Sequence, residues 1–458
     1  MTDRLADAIK AGSASLEESA SIFETFNAGS SDGARAVALA QADCAGADRA
    51  LADLESAAEP GQQASFIAAA GAQSAGFTTS APAGSVRGVT ANEVRFGTSL
   101  PLSGPNKESG QQIKIGIETA FRMANDAGGI HGRMLRLVAA DDGYEPTRTA
   151  ETMKQLYDKD QVFGFIGNYG TATAAVSAPF ALDRQALFYA GFTGASVLRR
   201  DPPDRYVFNF RASYAEETEA VVRYLVKVRR LKPEQIAVFA QQDAYGDAGF
   251  AGVAKAMRVL RGGDSGSILR LGYQRNSVDV EPAVAQLKAS KLPIKAVVMV
   301  ATYRAAAKFI EKTADAYPGL TYTNTSAVGS ISLRDELMLL GPKYVSGVIV
   351  TQAVPAVDGY SSLILQYKAA LAKYSPGQAP DYVSFEYYVA TRVLIEAMKR
   401  AGPQIDTEKL VDALESVRDL ELGLGIPITF SVTDHQGSHK VWATQMTQDG
   451  KYEPIDLQ

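Results

Sequence analysis

The sequence predicts an α/β protein built of two doubly wound parallel-sheet lobes, with a helical appendage at its N-terminus. Three observations predict it. From Asn92 onward, short apolar runs alternate with helical patterns of about ten to twenty residues, the signature of βαβ units and a parallel sheet. Roughly ten such units are too many for one small open sheet, so two similar lobes accommodate them. Residues 1–90 differ in composition, being rich in Ala, Ser and Gly and nearly free of aromatic residues.

The elements follow in order. "TDRLADAIKAG" and "ARAVALAQADCAGADRALADLESAA" space Ala and Leu helically, and the text that follows them up to "SVRG" reads as a flexible linker. "EVRFGTSLPLSG" is a strand ending in a Gly/Ser/Pro loop, and "QQIKIGIETAFRMANDAGGI" is an amphipathic helix closed by glycine. Strand "MLRLVAADD", helix "EPTRTAETMKQLYDKD", strand "VFGFIGNYG", helix "TATAAVSAPFALDRQ" and strand "ALFYAGF" continue the alternation. It runs on through "QIAVFAQQ", "SILRLGYQ", "AVVMVATY", "LTYTNTSAV" and "VSGVIVTQAVP", with helical segments between them. A helical block spans 360–420, and "GIPITFSVTDHQGSHKVWATQMTQDGKYEPI" reads as antiparallel strands.

Composition excludes several functions. The 46 basic and 51 acidic residues are mixed along the 458-residue chain, so no basic stripe supports a nucleic-acid partner. The single cysteine, Cys44, rules out an internal disulfide and a cysteine-based metal cluster. His435 and His439 stand four apart, but "TDHQGSHK" is a poor helix, so no metal is expected, and no cofactor. No apolar stretch approaches the roughly 18 residues of a membrane span. The first residues lack the basic start and the apolar run of a signal peptide.

The loops after the strands share one character. "SGPNKESG", "GNYGTAT", "AGFTGAS", "RASYAEE", "QQDAYGDAG" and "ATYRAAA" mostly mix glycine or alanine with hydroxyls and tyrosines. Such loops at strand C-termini suit a binding cleft with backbone donors, hydroxyls and aromatic walls. Tyr169, Thr171, Phe192, Thr193, Tyr214, Tyr245 and Tyr303 are the candidates they supply. Each has a plain alternative: Thr171 or Thr173 caps a helix, Thr193 caps a turn, Tyr245 covers a helix start and Phe192 belongs to a core. Arg211 and Arg304 read as structural ion-pair partners, and Asp141-Asp142 as solvated loop carboxylates. No nucleophile elbow, zinc-protease helix or P-loop appears, so no enzyme is expected.

The ordered series "EVRFGTSLPLSGP…GIETAFRMANDAGGIHGRMLRLVAADDGYEPTRTAETMKQL", "FGFIGNYGTATAAVSAPF", "LFYAGFTGASVLR", "VFNFRASYAEET", "AVFAQQDAYGDAG" and "VGSISL" resembles the periplasmic leucine/isoleucine/valine-binding protein family, the type I solute-binding proteins of ABC transporters. The resemblance covers about 93–450. It implies three chain crossings between the lobes, near 211–214, 346–350 and 430–433, with ligand held in the cleft. The implied parts are 1–90 as appendage, 93–212 plus 348–430 as first lobe, and 213–347 plus 431–458 as second lobe. It implies that Thr171, Phe192, Thr193 and Gly194 hold an amino acid's carboxylate and ammonium, with Tyr245 and Tyr303 on the second lobe. Two positions depart from the family pattern: Ser326 stands where an acidic residue often meets the ammonium, and Ser109 falls near an expected aromatic. A carboxylate ligand with an apolar or aromatic body is therefore expected, with leucine bound poorly. The resemblance further implies a periplasmic monomer serving an ABC permease; the alternative is the ligand-sensing part of a receptor.

Overall fold

The computed structural model describes residues 86–264 and 266–457; the predicted helices of 1–85 lie outside them. The chain opens with β1 (Glu93–Leu100), α1 (Lys107–Asp126), β2 (Met134–Asp141), α2 (Pro146–Lys154), β3 (Gly164–Ile166), α3 (Thr171–Leu182), β4 (Phe188–Tyr189) and β5 (Val207–Phe208). These strands form one parallel sheet in the order β2-β1-β3-β4-β5, with β1 and β2 in register from Glu93↔Met134 to Leu100↔Asp141.

Next come α4 (Tyr214–Lys227), β6 (Ile236–Gln241), α5 (Ala244–Arg261), β7 (Arg270–Tyr273), α6 (Glu281–Ala289), β8 (Ala296–Val300), α7 (Tyr303–Thr313), β9 (Thr321–Asn324), α8 (Ser330–Leu340), α9 (Pro342–Val345) and β10 (Ile349–Gln352). Helices α10 (Ser362–Tyr374), α11 (Tyr382–Ala401) and α12 (Thr407–Glu415) precede the closing hairpin, β11 (Trp442–Met446) and β12 (Tyr452–Pro454). The second sheet has the order β12-β11-β10-β9-β8-β6-β7, parallel except for β11 and β12. Its central strands β6 and β8 are buried at every residue, as continuous apolar runs covered by helices on both faces require.

Three expectations change. Strand β10 pairs with β9 and β11, so 349–352, expected in the first lobe, belongs to the second sheet. Residues 86–90, expected in the linker, dock on the first sheet: Gly88 O accepts from Arg95 N at 2.9 Å, and Val86 and Val89 pack against the core. Of the expected terminal antiparallel run, only β11 and β12 pair as strands. The stretch before them lies along the first crossing, where Asn209 N donates to His435 O at 2.7 Å and Gly437 N to Asn209 O at 2.8 Å.

The helical block returns to the first sheet, where α11 packs along α1. Glycine is needed at the contact: a Cβ on Gly116 would lie 2.3 Å from Ser384 O. The chain thus passes between the two sheets three times, which places the strand-end loops of both on one cleft.

Candidate functional site

The first-sheet side of the cleft is built at the ends of β3 and β4. Gly170 precedes α3 with φ 92°, and a Cβ there would lie 2.2 Å from Cε2 of Tyr144. Glycine therefore lets the Tyr144 ring stand edge-on against Tyr169, with centroids 5.0 Å apart. Tyr169 stacks on Phe192 at 5.3 Å. Thr171 opens α3 without capping it, and its Oγ1 lies 2.7 Å from the Thr193 Oγ1. Thr173 turns away, donating to the carbonyls of Tyr169 and Gly170. The Thr193 hydroxyl also accepts from Ala195 N at 3.1 Å. Thr193 thus caps its turn while its hydroxyl also meets that of Thr171. Both threonines are buried.

The second sheet contributes Tyr245, whose ring tilts against Tyr214 at 5.0 Å and whose Oη lies 2.9 Å from Thr325 Oγ1. Burial pushes the phenols of Tyr169, Tyr214 and Tyr245 up, so they stay neutral. The two sides meet directly. Gln241 Nε2 donates to Tyr144 Oη at 3.1 Å, and Tyr303 Oη donates to Pro105 O at 2.6 Å and to Glu108. Asn106 Nδ2 donates to Asn276 Oδ1 at 2.9 Å, and Asn276 Nδ2 to Glu145 Oε1 at 2.6 Å. Ser109 stands close to the other side as well: a Cβ on Gly329, across the cleft, would lie 3.1 Å from its Oγ, so glycine there leaves room for it. Tyr144 and Gln241 were not singled out by sequence. The signal available was the loop "DDGYEP" after β2, a strand end like the others.

Two acidic expectations are corrected. Asp142 is not solvated; it is fully buried and accepts from Ser99 Oγ at 2.7 Å, Tyr144 N at 2.9 Å and Thr149 Oγ1 at 3.0 Å. It sets the loop that carries Tyr144, and burial pushes its pKa up. Asp141 is partly exposed; burial opposes its ionisation, but donors from Ser103, Leu102, Arg148 and Gly143 hold it down to about 2.

The second correction concerns the loop at Ser326. An acidic side chain does meet it, supplied from another element. Glu217, one turn into α4, accepts from Ser326 N at 2.7 Å, Ser326 Oγ at 2.9 Å and Thr351 Oγ1. It is 2 % exposed, and burial raises its pKa while Arg211 and these donors oppose the rise. Arg211 forms an ion pair, as expected, through Nε to Glu386 Oε1 at 2.8 Å and Nη2 to Glu386 Oε2 at 2.5 Å. Arg304 pairs with Glu336 at 3.2 Å and reaches Glu108 at 3.4 Å.

The histidines are structural. Among the described residues no group of three or more His, Cys, Asp or Glu is arranged to hold a metal ion. His435 stacks on Phe208 at 3.8 Å. His439 ties two crossings together, with Nδ1 2.6 Å from Glu216 Oε1 and Nε2 3.0 Å from Asp434 Oδ2. The bond to Glu216 pushes His439 up to about 9 against the opposing effect of burial, and Asp434 adds to it. A folded pKa above the ordinary 6.5 of an imidazole means stabilisation that is complete below pH 6.5 and lost as pH rises through 9. The site is half exposed, so solvent screening leaves about 1 kcal/mol. The melting temperature of the ligand-free protein is therefore expected to fall by roughly 1–3 °C over that window. His439→Gln should flatten the fall; an unchanged slope in a calorimetric pH series sinks this assignment.

Among the described residues no helix is long and apolar enough to cross a membrane. The family model for periplasmic binding proteins matches residues 93–451. An amino acid binding protein of Pseudomonas aeruginosa is 27 % identical over 332 residues, covering 71 % of this chain and 83 % of that one. The Leu/Ile/Val-binding protein homolog 3 of Brucella melitensis is 26 % identical over 347 residues, covering 74 % of this chain and 88 % of its own. Among solved structures, that of "a possible leucine/isoleucine/valine-binding protein" from Rhodopirellula baltica aligns with a TM-score of 0.76 at 36 % identity, covering 80 % of this chain and 97 % of that one. Members of this family bind substrates and are not enzymes. Two largely parallel sheets facing one cleft, a loop set rich in hydroxyls and tyrosines, and these relatives agree: the chain belongs to the periplasmic binding protein family, in its leucine/isoleucine/valine-binding type.

Proposed function

We propose that the protein is a solute receptor that captures a small carboxylated ligand, an amino acid or a related compound, between its lobes and delivers it to the permease of an ABC transporter in the periplasm. The observation that carries this reading is the pair of buried hydroxyls of Thr171 and Thr193, 2.7 Å apart at the cleft ends of β3 and β4. Two adjacent hydroxyls at a helix start suit a carboxylate, which accepts from both. Glu217 faces the loop where a ligand's cationic group would be met, and Tyr169, Tyr214 and Tyr245 supply aromatic walls. The relatives' names, amino acid binding and Leu/Ile/Val-binding, support the same class. Contacts such as those of Tyr303 and Asn276 hold the lobes closed, so a ligand that touches both sides shifts the population toward closure.

Thr171→Val is the cleaner test, because among the described residues the Thr171 hydroxyl bonds only to Thr193, whereas the Thr193 hydroxyl also holds a turn. The variant should weaken binding of L-phenylalanine or L-leucine by about ten- to hundredfold, the worth of one charge-assisted hydrogen bond. The melting temperature of the ligand-free protein should hardly move. Unchanged affinity in calorimetry removes the reading.

A further inference from the structure

We infer that Arg211 is a ligand-binding residue, whose Nη1 donates to the ligand's carboxylate beside the Thr171 and Thr193 hydroxyls. The inference rests on the reading that this loop receives that carboxylate.

The first observation is an unmet donor. Arg211 is 1 % exposed, and Glu386 occupies its Nε and Nη2 edge. Its Nη1 is buried and has no acceptor among the described residues. A guanidinium cannot give up its charge, so a buried N–H without an acceptor carries the full cost of its desolvation. Interiors rarely tolerate such a group unless something else meets it.

The second observation is where that donor stands. The guanidinium carbon lies 4.1 Å above the ring centroid of Phe192, the residue before Thr193. Arg199 ties the same pieces together: its Nη2 donates to Arg211 O at 3.0 Å and its Nη1 to Thr193 O and Ala195 O, each at 3.1 Å. Tyr214 N, three residues after Arg211, donates to Gly194 O at 2.8 Å. Arg211 is thus fastened to the loop that presents the threonine hydroxyls.

The third is the shape of the group. A guanidinium is a planar fork, and a carboxylate on its side edge fixes the plane and leaves the Nη1 end preset for a second acceptor. Glu386 is that first carboxylate. A ligand carboxylate accepts from Nη1 and from the threonines at once, whereas a primary amide offers one oxygen and turns an N–H₂ toward donors. The residue would therefore select acids over amides.

Calorimetry on the full chain tests this with L-phenylalanine and L-leucine, each beside its primary amide. Arg211→Lys keeps a cation for Glu386 and loses the fork. It should weaken the acids ten- to hundredfold and the amides less than threefold. Equal losses for acid and amide assign Arg211 a purely structural role and overturn the proposal, as does no loss at all. Where an amide is too weak to titrate, lost acid affinity at an unchanged apo melting temperature supports it, and a lower melting temperature with unchanged affinity overturns it. If Arg211→Lys shows no cooperative melting, the double variant Arg211→Met with Glu386→Met removes both buried charges together and is expected to give the same pattern. Acids weakened by Thr171→Val but not by Arg211→Lys sink only the role of Arg211. Acids weakened by neither variant, or bound by neither the variants nor the unaltered protein, sink the proposed function with it.

Discussion

Glu386→Ala is expected to destabilise the protein by about 3–5 kcal/mol in urea or thermal unfolding. Arg211 and Glu386 are 1 % and 4 % exposed and meet through two hydrogen bonds. Burial alone would weaken the hold of Arg211 on its proton, and Glu386 more than offsets that. Removing the carboxylate leaves a charge that cannot be neutralised, in a site closed by Phe192 and α11. The partner is indispensable even though the pair as a whole is not. Because two ions are desolvated to make it, replacing both with methionine should cost little or nothing. A loss below about 1 kcal/mol for Glu386→Ala shows that water reaches the guanidinium and that the burial argument fails.

Glu217→Gln is expected to weaken L-phenylalanine binding by about ten- to hundredfold while leaving 3-phenylpropionate, which lacks the ammonium, nearly unaffected. Glu217 accepts from three neutral donors, Ser326 N, Ser326 Oγ and Thr351 Oγ1, and among the described residues pairs directly with no cation. The charge of Arg211, which acts on Glu217, is already paired with Glu386. Glu217 is thus a buried carboxylate held by neutral donors, so a ligand's ammonium placed beside it would be its direct ion-pair partner. Glutamine keeps the size and two of the three accepted bonds at one oxygen, but turns an N–H₂ toward a donor. A stability loss of about 1 kcal/mol is therefore expected for both ligands, and the affinity ratio is the reading that matters. Equal losses for acid and amino acid sink the ammonium role. The same geometry brings an acidic group, Glu217, to the Ser326 loop, which carries none of its own.

The parts of the fold that were legible in sequence are those set by local patterning. Strand β8, "AVVMV", announces a strand covered on both faces because all five residues are apolar and mostly β-branched. Loop "GNYGTAT" announces a strand end because Gly167 and Gly170 take positive φ there. The tyrosines and threonines of these loops do lie together. By contrast, β10 was placed in the wrong sheet: "VIVTQ" fits any buried strand, and its partner is chosen by pairing with β9 and β11 rather than by its own pattern.

By itself, the sequence determined the α/β class and the ordered strand-end loops, carried by periodicities of two and 3.6 residues and by turn chemistry that act over a few neighbours, while its ordered series of motifs carried the resemblance to the family. Only the tertiary structure decided which charges meet. Glu217 lies 109 residues from Ser326, Arg211 lies 175 from Glu386, and Tyr144 lies 97 from Gln241. The reason is physical: a charged side chain enters the interior only where partners from other elements desolvate and satisfy it together. Where those partners converge is set by the packing of helices and sheets, which no local spacing records.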